Sequence, residues 1–282
     1  MSSPANLRVR RVTPVIGAEI SGLDLRKGLS DEDVSFIRNA FCEYLVLFIT
    51  GQDISAEDQI RFGEYFGPTQ ISGFQPVTDD PAQKVSGITV IDQSGEKIPY
   101  IDMFHTDQTF SEVIPLATIL RSVVVPESGG DTCFVNMYAA YEALSPKMRG
   151  FLDGLSALHS SEHVSSAVYT TGIAYATGDR APQAVHPVVT VHPETGKKLL
   201  FVNSHYTKRI MELTEGESRT LLDYLFNHVK QPAFGCRYRW SANTLAIWDN
   251  RAAQHCAIFD YTERRYMYRS LVGGSRPLAA TA

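Results

Sequence analysis

Residues 186–203 read HPVVTVHPETGKKLLFVN, and this stretch decides the fold class. Two runs rich in β-branched and large apolar residues, Val188–Val191 and Leu199–Val202, flank the turn-forming Pro193-Glu194-Thr195-Gly196. Runs this short, divided by Pro and Gly, predict a β-hairpin rather than a helix. Toward the C-terminus, CRYRW (236–240), TLAIWDN (244–250) and RRYMYRSLVGG (264–274) also read as strands. Toward the N-terminus, LATILRSVVV (116–125), Val85–Ile91 and LVLFI (45–49) do the same. VTPVIGAEISGLDL (12–25) alternates loosely, with Gly17 and Gly22 at bends, as a strand or hairpin does.

The helices fall between these runs. In SDEDVSFIRNAFCEY (30–44), Ser30 is placed to cap and Asp33 sits where a capping box usually has Glu or Gln. Val34, Ile37, Phe41 and Leu45 recur at helical spacing and give one apolar stripe. SAEDQIRFGEYFG (55–67) predicts a short helix capped by Ser55 and stopped by Gly67-Pro68. MYAAYEALSPKMRGFLDGL (137–155) is helical with a break near Ser145-Pro146, and ESRTLLDYLFNHVK (217–230) is amphipathic. Residues 70–100 are polar and turn-rich outside the one strand, which suggests a long surface connection or lid.

Many short strands from both ends of the chain, with a few helices between, predict a double-sheet or barrel core with helices outside. The strand–helix alternation of a Rossmann fold is missing, and no G-x-G-x-x-G follows a strand. With no repeat, low-complexity tract or linker, residues 1–282 read as a single domain.

Composition narrows the function classes. The 282 residues are 44% hydrophobic and 20% charged, with a formal net charge of -5. That balance argues against nucleic acid or an anionic membrane as a main partner. The longest apolar run, Leu45–Ile49, is too short to span a bilayer. Cys42, Cys133, Cys236 and Cys256 have no metal-ligand spacing and read as free thiols, and MSSPANLRVRRV lacks a secretory apolar stretch. A cytoplasmic enzyme is the expectation.

His105-Thr106-Asp107 is the first candidate site. In extended backbone, residues two apart share a face, so the imidazole and the carboxylate can reach one metal ion. One further histidine completes a two-histidine, one-carboxylate facial set suited to Fe(II), with adjacent positions left open. An H-x-D pair is also compatible with a solvated loop or a hydrogen-bonded core pair. For the third ligand, His159, His163, His192 and His228 lie beside turns or on helices. His186, His205 and His255 remain, and His255 stands out between TLAIWDN and the strand bearing Arg265 and Arg269. Period-two geometry puts Arg265, Met267 and Arg269 on one side, and Arg264, Tyr266 and Tyr268 on the other. If the arginines face inward they require anions, and a guanidinium fork matches a carboxylate. If they face water, the tyrosines are the buried side.

Beyond these local readings, the chain resembles the taurine dioxygenase (TauD/TfdA-type) family of Fe(II)/2-oxoglutarate-dependent oxygenases along nearly its whole length. The resemblance runs through IGAEISGLDL, RFGEYFG, FHTDQTF, GGDT, AAYEALSP, HPVV, HPETGKKLLFVN, WDNRAAQHCAIFDY and RRYMYR. It implies a mainly β fold with flanking helices: a distorted double-stranded β-helix, or jelly roll, of cupin-like form. It implies Fe(II) bound by His105, Asp107 and His255, with 2-oxoglutarate and O2 as cosubstrates and succinate and CO2 as products. By the same resemblance Thr132 hydrogen-bonds a carboxylate of 2-oxoglutarate and Arg265 anchors its distal end. Trp248 packs beside that site, and Arg269 pairs with the anionic group of the substrate. Retention of Asp107 favours hydroxylation over halogenation, and a homodimer or homotetramer is implied.

The substrate is less closely specified. Taurine-specific members carry a histidine after the RFGE-type helix and an amide before H-x-D; here Gln70 and Ile101 lie near those positions, which speaks against taurine. GGDTCFVNMYAAYEALSP is similar to aryloxyalkanoate dioxygenases, and WDNRAAQH to alkylsulfatase-type members. The expectation is a small anionic organic substrate, an aryloxyalkanoate or related carboxylate ahead of a sulfate or sulfonate. Two other classes are distinguishable: a zinc hydrolase needs neither oxygen nor 2-oxoglutarate, and a silent jelly-roll binding protein usually lacks a ligand or Arg265.

Overall fold

A computed structural model of the protein describes residues 7–71, 79–93, 103–162 and 181–280. The N-terminal hairpin pairs β1 (Arg8–Arg11) with β2 (Ala18–Ser21), Arg8 opposite Ser21. It begins ahead of the stretch singled out by alternation. β1 is a sheet edge made of RVRR, so it has no apolar face for a pattern to reveal.

Helix α1 (Asp31–Tyr44) opens with the Ser30–Asp33 capping box, Asp standing in for the usual Glu. It closes at Leu45, whose φ of 63° turns the chain directly into β3 (Val46–Ile49). The continuous apolar reading of β3 has a direct cause: both its faces are buried. Val46 and Phe48 join the central core, while Leu47 and Ile49 pack with Ile37 and Phe41 of α1.

Helix α2 (Ala56–Glu64) starts at a second capping box, Ser55–Asp58. Within the polar 70–100 stretch lie the end of β4 (Thr69–Gln70), a 3-10 turn at Pro81–Lys84 and β5 (Ile88–Gln93). The suggestion of a lid there falls partly on residues 72–78 and 94–102, outside the described ones. Then come β6 (Ile114–Val124), β7 (Thr132–Asn136), α3 (Met137–Glu142) and α4 (Pro146–Leu152), the two helices broken at Ser145-Pro146 as the sequence implies.

After β8 (Ser156–Ser160) and β9 (Gln183–Pro187), β10 (Val189–Val191) and β11 (Lys198–Leu200) form the hairpin expected around the PETG turn. Val189 pairs with Leu200, and Gly196 takes the left-handed φ of 68° that closes the turn. β12 (Thr207–Ile210) and α5 (Glu215–Val229) follow. The chain ends in β13 (Gly235–Tyr238), β14 (Leu245–Asp249), β15 (Ala253–Ala257), β16 (Arg265–Ser275) and β17 (Leu278–Ala279).

The largest sheet runs β1-β2-β3-β14-β6-β16-β4, with β5 also paired to β16. Three-stranded sheets β13-β7-β15, β12-β8-β9 and β11-β10-β17 complete the β framework. Phe134 on β7 bridges two of them, its ring 5.7 Å from Phe48 and 5.5 Å from Trp248. Each such aromatic buried between sheets contributes about 1.5–3 kcal/mol. Helices α1 and α2 cover the outer face of the large sheet through Phe41 and Phe62, joined by Phe66 just past the end of α2. The result is the double-stranded β-helix with flanking helices. Among the described residues no helix is long and apolar enough to cross a membrane.

Candidate active site

His105 and His255 are joined through their main chains. His105 N–H donates to His255 O at 3.0 Å, and His255 N–H donates to His105 O at 2.9 Å. This antiparallel bridge hangs the HTD segment on the free edge of β15, and the two rings lie 4.2 Å apart between centroids. Asp107, two residues along, comes to the same side. One donor atom from each of His105, Asp107 and His255 lies within 4.8 Å of the others, and no other such His/Cys/Asp/Glu group occurs among the described residues.

The donor set fits a divalent ion. His105 Nδ1 is 2.9 Å from Met103 O, which places the ring proton there and leaves Nε2, 3.8 Å from Asp107 Oδ1, as the lone-pair nitrogen. Burial pushes both histidines below their ordinary range, His255 to about 3, so they are neutral. Burial opposes ionisation of Asp107. Attraction to His255, Arg269 and His105, with the Thr118 hydrogen bond, outweighs it and holds the carboxyl at about 2. Neutral imidazoles and an ionised carboxylate are the protonation states a metal needs.

Strand β16 delivers both arginines to the interior. Arg265 is 4% exposed. Its Nε donates to Gly130 O at 3.1 Å, and its Nη2 is buried without a hydrogen-bond partner among the described residues. Burial lowers its pKa, only partly offset by Tyr261 and Asp131. Such a group fits an anionic ligand. Arg269 Nη1 lies 3.8 Å from Asp107 Oδ1, at the edge of the triad. On the alternate face Tyr266 is buried in a small cluster with Ala56, Ile88 and Val90, against which Tyr268 packs; Arg264 and Arg121 lie over these two rings at 4.4 and 4.9 Å.

Thr132 opens β7, and its hydroxyl accepts from Trp240 Nε1 at 2.9 Å. Trp248 stacks obliquely beside His255, centroids 4.6 Å apart. Gln70 pairs with Leu271 across β4 and β16, and its Oε1 is buried without a hydrogen-bond partner among the described residues. Ile101 and His163 lie outside the described residues.

The remaining histidines are buried rather than superficial. His159 Nδ1 meets Thr109 Oγ1 at 2.9 Å, and His186 Nε2 meets Thr109 O at 2.9 Å. His228 Nε2 meets Ala140 O at 2.8 Å. His192 Nε2 contacts Asp249 Oδ2 at 3.0 Å. Asp249 in turn takes two donors from Arg251, at 2.8 and 2.6 Å, and Arg251 reaches Glu194. His205 lies nearest the site, its ring 5.5 Å from His105.

Three residues near the triad had no place in the sequence reading. Thr118 Oγ1 donates to Asp107 Oδ2 at 2.6 Å, Asn250 Nδ2 donates to Thr118 Oγ1 at 2.8 Å, and Trp240 holds Thr132. Asn250 stands inside the WDNR motif, and Thr118 is the lone hydroxyl in the apolar LATIL run; both are signals that were present. Trp240 left none.

The geometry agrees with what the chain is similar to. An alkylsulfatase of Acinetobacter baylyi is 34% identical, over 94% of this chain and 84% of its own length. An alpha-ketoglutarate-dependent sulfate ester dioxygenase of Pseudomonas putida is 36% identical, over 96% of this chain and 91% of its own. An alpha-ketoglutarate-dependent 2,4-dichlorophenoxyacetate dioxygenase of Cupriavidus pinatubonensis is 32% identical, over 91% and 94%. The crystal structure of a taurine dioxygenase from Burkholderia xenovorans superposes with a TM-score of 0.82 at 33% identity, covering 97% of this chain and 91% of that one. The model of the taurine catabolism dioxygenase TauD, TfdA family matches residues 8–271, and the chain belongs to that family of 2-oxoglutarate-dependent dioxygenases.

Proposed function

We propose that the chain hydroxylates the carbon beside the ester oxygen of a small alkyl sulfate, consuming O2 and 2-oxoglutarate. The hydroxylated ester then breaks its C–O bond, releasing sulfate and leaving an aldehyde. The convergence of His105, Asp107 and His255 beside the arginines of β16 supports the chemistry. The relatives named for sulfate esters, 34% and 36% identical, support the substrate. Against 32% for the dichlorophenoxyacetate enzyme, the aryloxyalkanoate expectation becomes the second reading.

In this reading His105 through Nε2, Asp107 through Oδ1 and a ring nitrogen of His255 hold Fe(II). The ion, with 2-oxoglutarate and O2, supplies the oxidising chemistry when bound. Arg265 meets the distal carboxylate of 2-oxoglutarate, presenting a fork already buried and fixed at Nε by Gly130 O. The Thr132 hydroxyl, occupied as acceptor by Trp240, keeps its proton for a cosubstrate carboxylate. Arg269 neutralises the sulfate head and sets the distance from that head to the oxidised carbon. Trp248 walls the pocket beside His255, and Gln70 is assigned to the substrate side.

The test is succinate formation with Fe(II) and 2-oxoglutarate, with and without O2, across alkyl sulfates, alkyl sulfonates and aryloxyalkanoates. Oxygen-dependent succinate matched by inorganic sulfate from the alkyl sulfates is the expected result. Stimulation confined to aryloxyalkanoates would replace the substrate while keeping the reaction.

A further inference from the structure

Behind Asp107 lies a chain of side-chain hydrogen bonds whose direction is fixed by its far end. Trp248 Nε1 is a donor only, and it donates to Asn250 Oδ1 at 3.1 Å. The amide oxygen being the acceptor, Asn250 Nδ2 is the donor to Thr118 Oγ1 at 2.8 Å. The Thr118 hydroxyl, which receives that proton, must send its own to Asp107 Oδ2 at 2.6 Å. Trp248, Asn250 and Thr118 are each no more than 1% exposed and Asp107 is 4% exposed, so water does not compete. In such surroundings linked hydrogen bonds strengthen one another. The main chain holds the relay in place: Asn250 N–H donates to Leu116 O, and Trp248 and Thr118 are paired across β14 and β6.

The two carboxylate oxygens of Asp107 are therefore unequal. Oδ2 is bound to Thr118, while Oδ1 faces His105 Nε2 and Arg269 Nη1, each at 3.8 Å. The geometry points to Thr118, aimed by Asn250 and Trp248, as a positioning residue that confines Asp107 to one-oxygen ligation. This rests on the reading of His105, Asp107 and His255 as the metal ligands. A carboxylate restricted in this way occupies one coordination position, whereas a carboxylate free to use both oxygens occupies two. The relay thereby protects a position that the cosubstrate needs. Its effect belongs to cosubstrate affinity more than to metal affinity.

Three variants and one control test this without turnover, using Mn(II) under anaerobic conditions and calorimetric titration of metal and then 2-oxoglutarate. In Thr118→Val the shape is kept and the donor is lost. The expected result is Mn(II) binding within about threefold of the parent, with 2-oxoglutarate bound on the order of tenfold to a hundredfold more weakly, the range for outer-sphere partners of a metal site. Thr118→Ser restores the parent affinity. Asn250→Leu leaves Thr118 in place but unaimed, and shifts 2-oxoglutarate affinity in the same direction by less. The Co(II) form of Thr118→Val shows a ligand-field spectrum altered before cosubstrate is added, which a purely structural role does not produce.

If Thr118→Val loses Mn(II) affinity and keeps 2-oxoglutarate affinity, the relay serves metal retention and the proposal is overturned. Parent-like affinities for both also overturn it. Asp107→Ala is the control. If it binds Mn(II) like the parent, the ligand assignment itself is wrong and the proposal goes with it; if it loses Mn(II), the ligand assignment stands and the Thr118 result alone decides. Should Thr118→Val not fold, Asn250→Leu against Thr118→Ser decides by the same affinity ratio.

Discussion

The indole N–H of Trp240 donates to the hydroxyl oxygen of Thr132 at 2.9 Å, with both side chains buried. An indole cannot accept, so the threonine proton is turned away from Trp240 and kept for another acceptor. Replacing Trp240 with Phe keeps the packing volume nearly intact and removes only the aim. The expected cost is about 1 kcal/mol of cosubstrate binding, on the order of fivefold in the KM for 2-oxoglutarate. The KM for the primary substrate stays unchanged. Equal increases in both would remove Thr132 from the cosubstrate pocket.

Arg265 supports a two-sided prediction. As a buried guanidinium whose Nη2 lacks a hydrogen-bond partner among the described residues, it costs folding free energy until an anion arrives. Arg265→Met is expected to hold or raise the Tm of the ligand-free protein. The same variant weakens 2-oxoglutarate binding by about 1.5–3 kcal/mol, tenfold or more in Kd. A variant both less stable and equally avid for 2-oxoglutarate would show that the arginine is structural.

Arg269 is placed to separate the two ligands. Truncating it to Ala is expected to raise the KM for an alkyl sulfate by about tenfold or more, the scale of a charge-assisted contact. Cosubstrate binding changes by less than about twofold. Steady-state kinetics with each ligand varied in turn reads this directly, and parallel losses would reassign Arg269 to the cosubstrate.

Arg251 lies outside the pocket, yet its loss is predicted to be the more damaging to the fold. It donates twice to the fully buried Asp249, which also contacts His192. Arg251→Met strands that carboxylate in the interior, at about 3–5 kcal/mol of unfolding free energy. Urea denaturation of the metal-free protein measures it. A loss under about 1 kcal/mol would mean the network is dispensable.

The buried histidines set an acid limit. Burial holds His105, His159, His186 and His255 below the ordinary value of 6.5, so the unfolded chain takes up protons that the folded one refuses. Stability of the metal-free protein therefore falls as pH drops below about 6.5, each such group adding up to about 1.4 kcal/mol per pH unit. For His255 the loss continues down to about pH 3. Asp107, depressed to about 2, adds its own loss only below its ordinary 3.8. His255→Asn is expected to flatten the slope between pH 6 and 5 by up to one proton, and an unchanged slope would mean His255 is already protonated there.

Much of the fold was legible because its signals are local. The Ser30 and Ser55 caps, the PETG hairpin and the break at Ser145-Pro146 depend on a few neighbouring residues, and the structure has each of them. β7 and β15 were not legible. TCFVN and AQHCA are short and mixed, and they become strands because they pair with each other, Phe134 opposite His255. The site divides in the same way. His105 and Asp107 share a face by simple alternation; the same period puts Arg265 and Arg269 on one face of β16 but leaves open which face is inward. The aim of Thr132 and the support of Asp107 come from Trp240, Asn250 and Thr118, residues 108, 143 and 11 positions away from the side chains they serve. No spacing rule relates such pairs. The turn and helix neighbours of His159, His192 and His228 set them aside as ligands without telling exposed from buried, and tertiary packing buries all three with hydrogen-bond partners.

The main-chain bridge between His105 and His255 also bears on assembly. Its two members lie about half the chain apart, so the loop they close is long, and closing it comes at high contact order. Iron therefore cannot nucleate this protein in the manner of a zinc finger, whose ligands are close in sequence. In the proposed reading, a metal would enter a socket whose two imidazole rings are already spaced by β-pairing. Apo protein purified with a chelator is expected to stay folded and ready to reload, its iron exchangeable without unfolding.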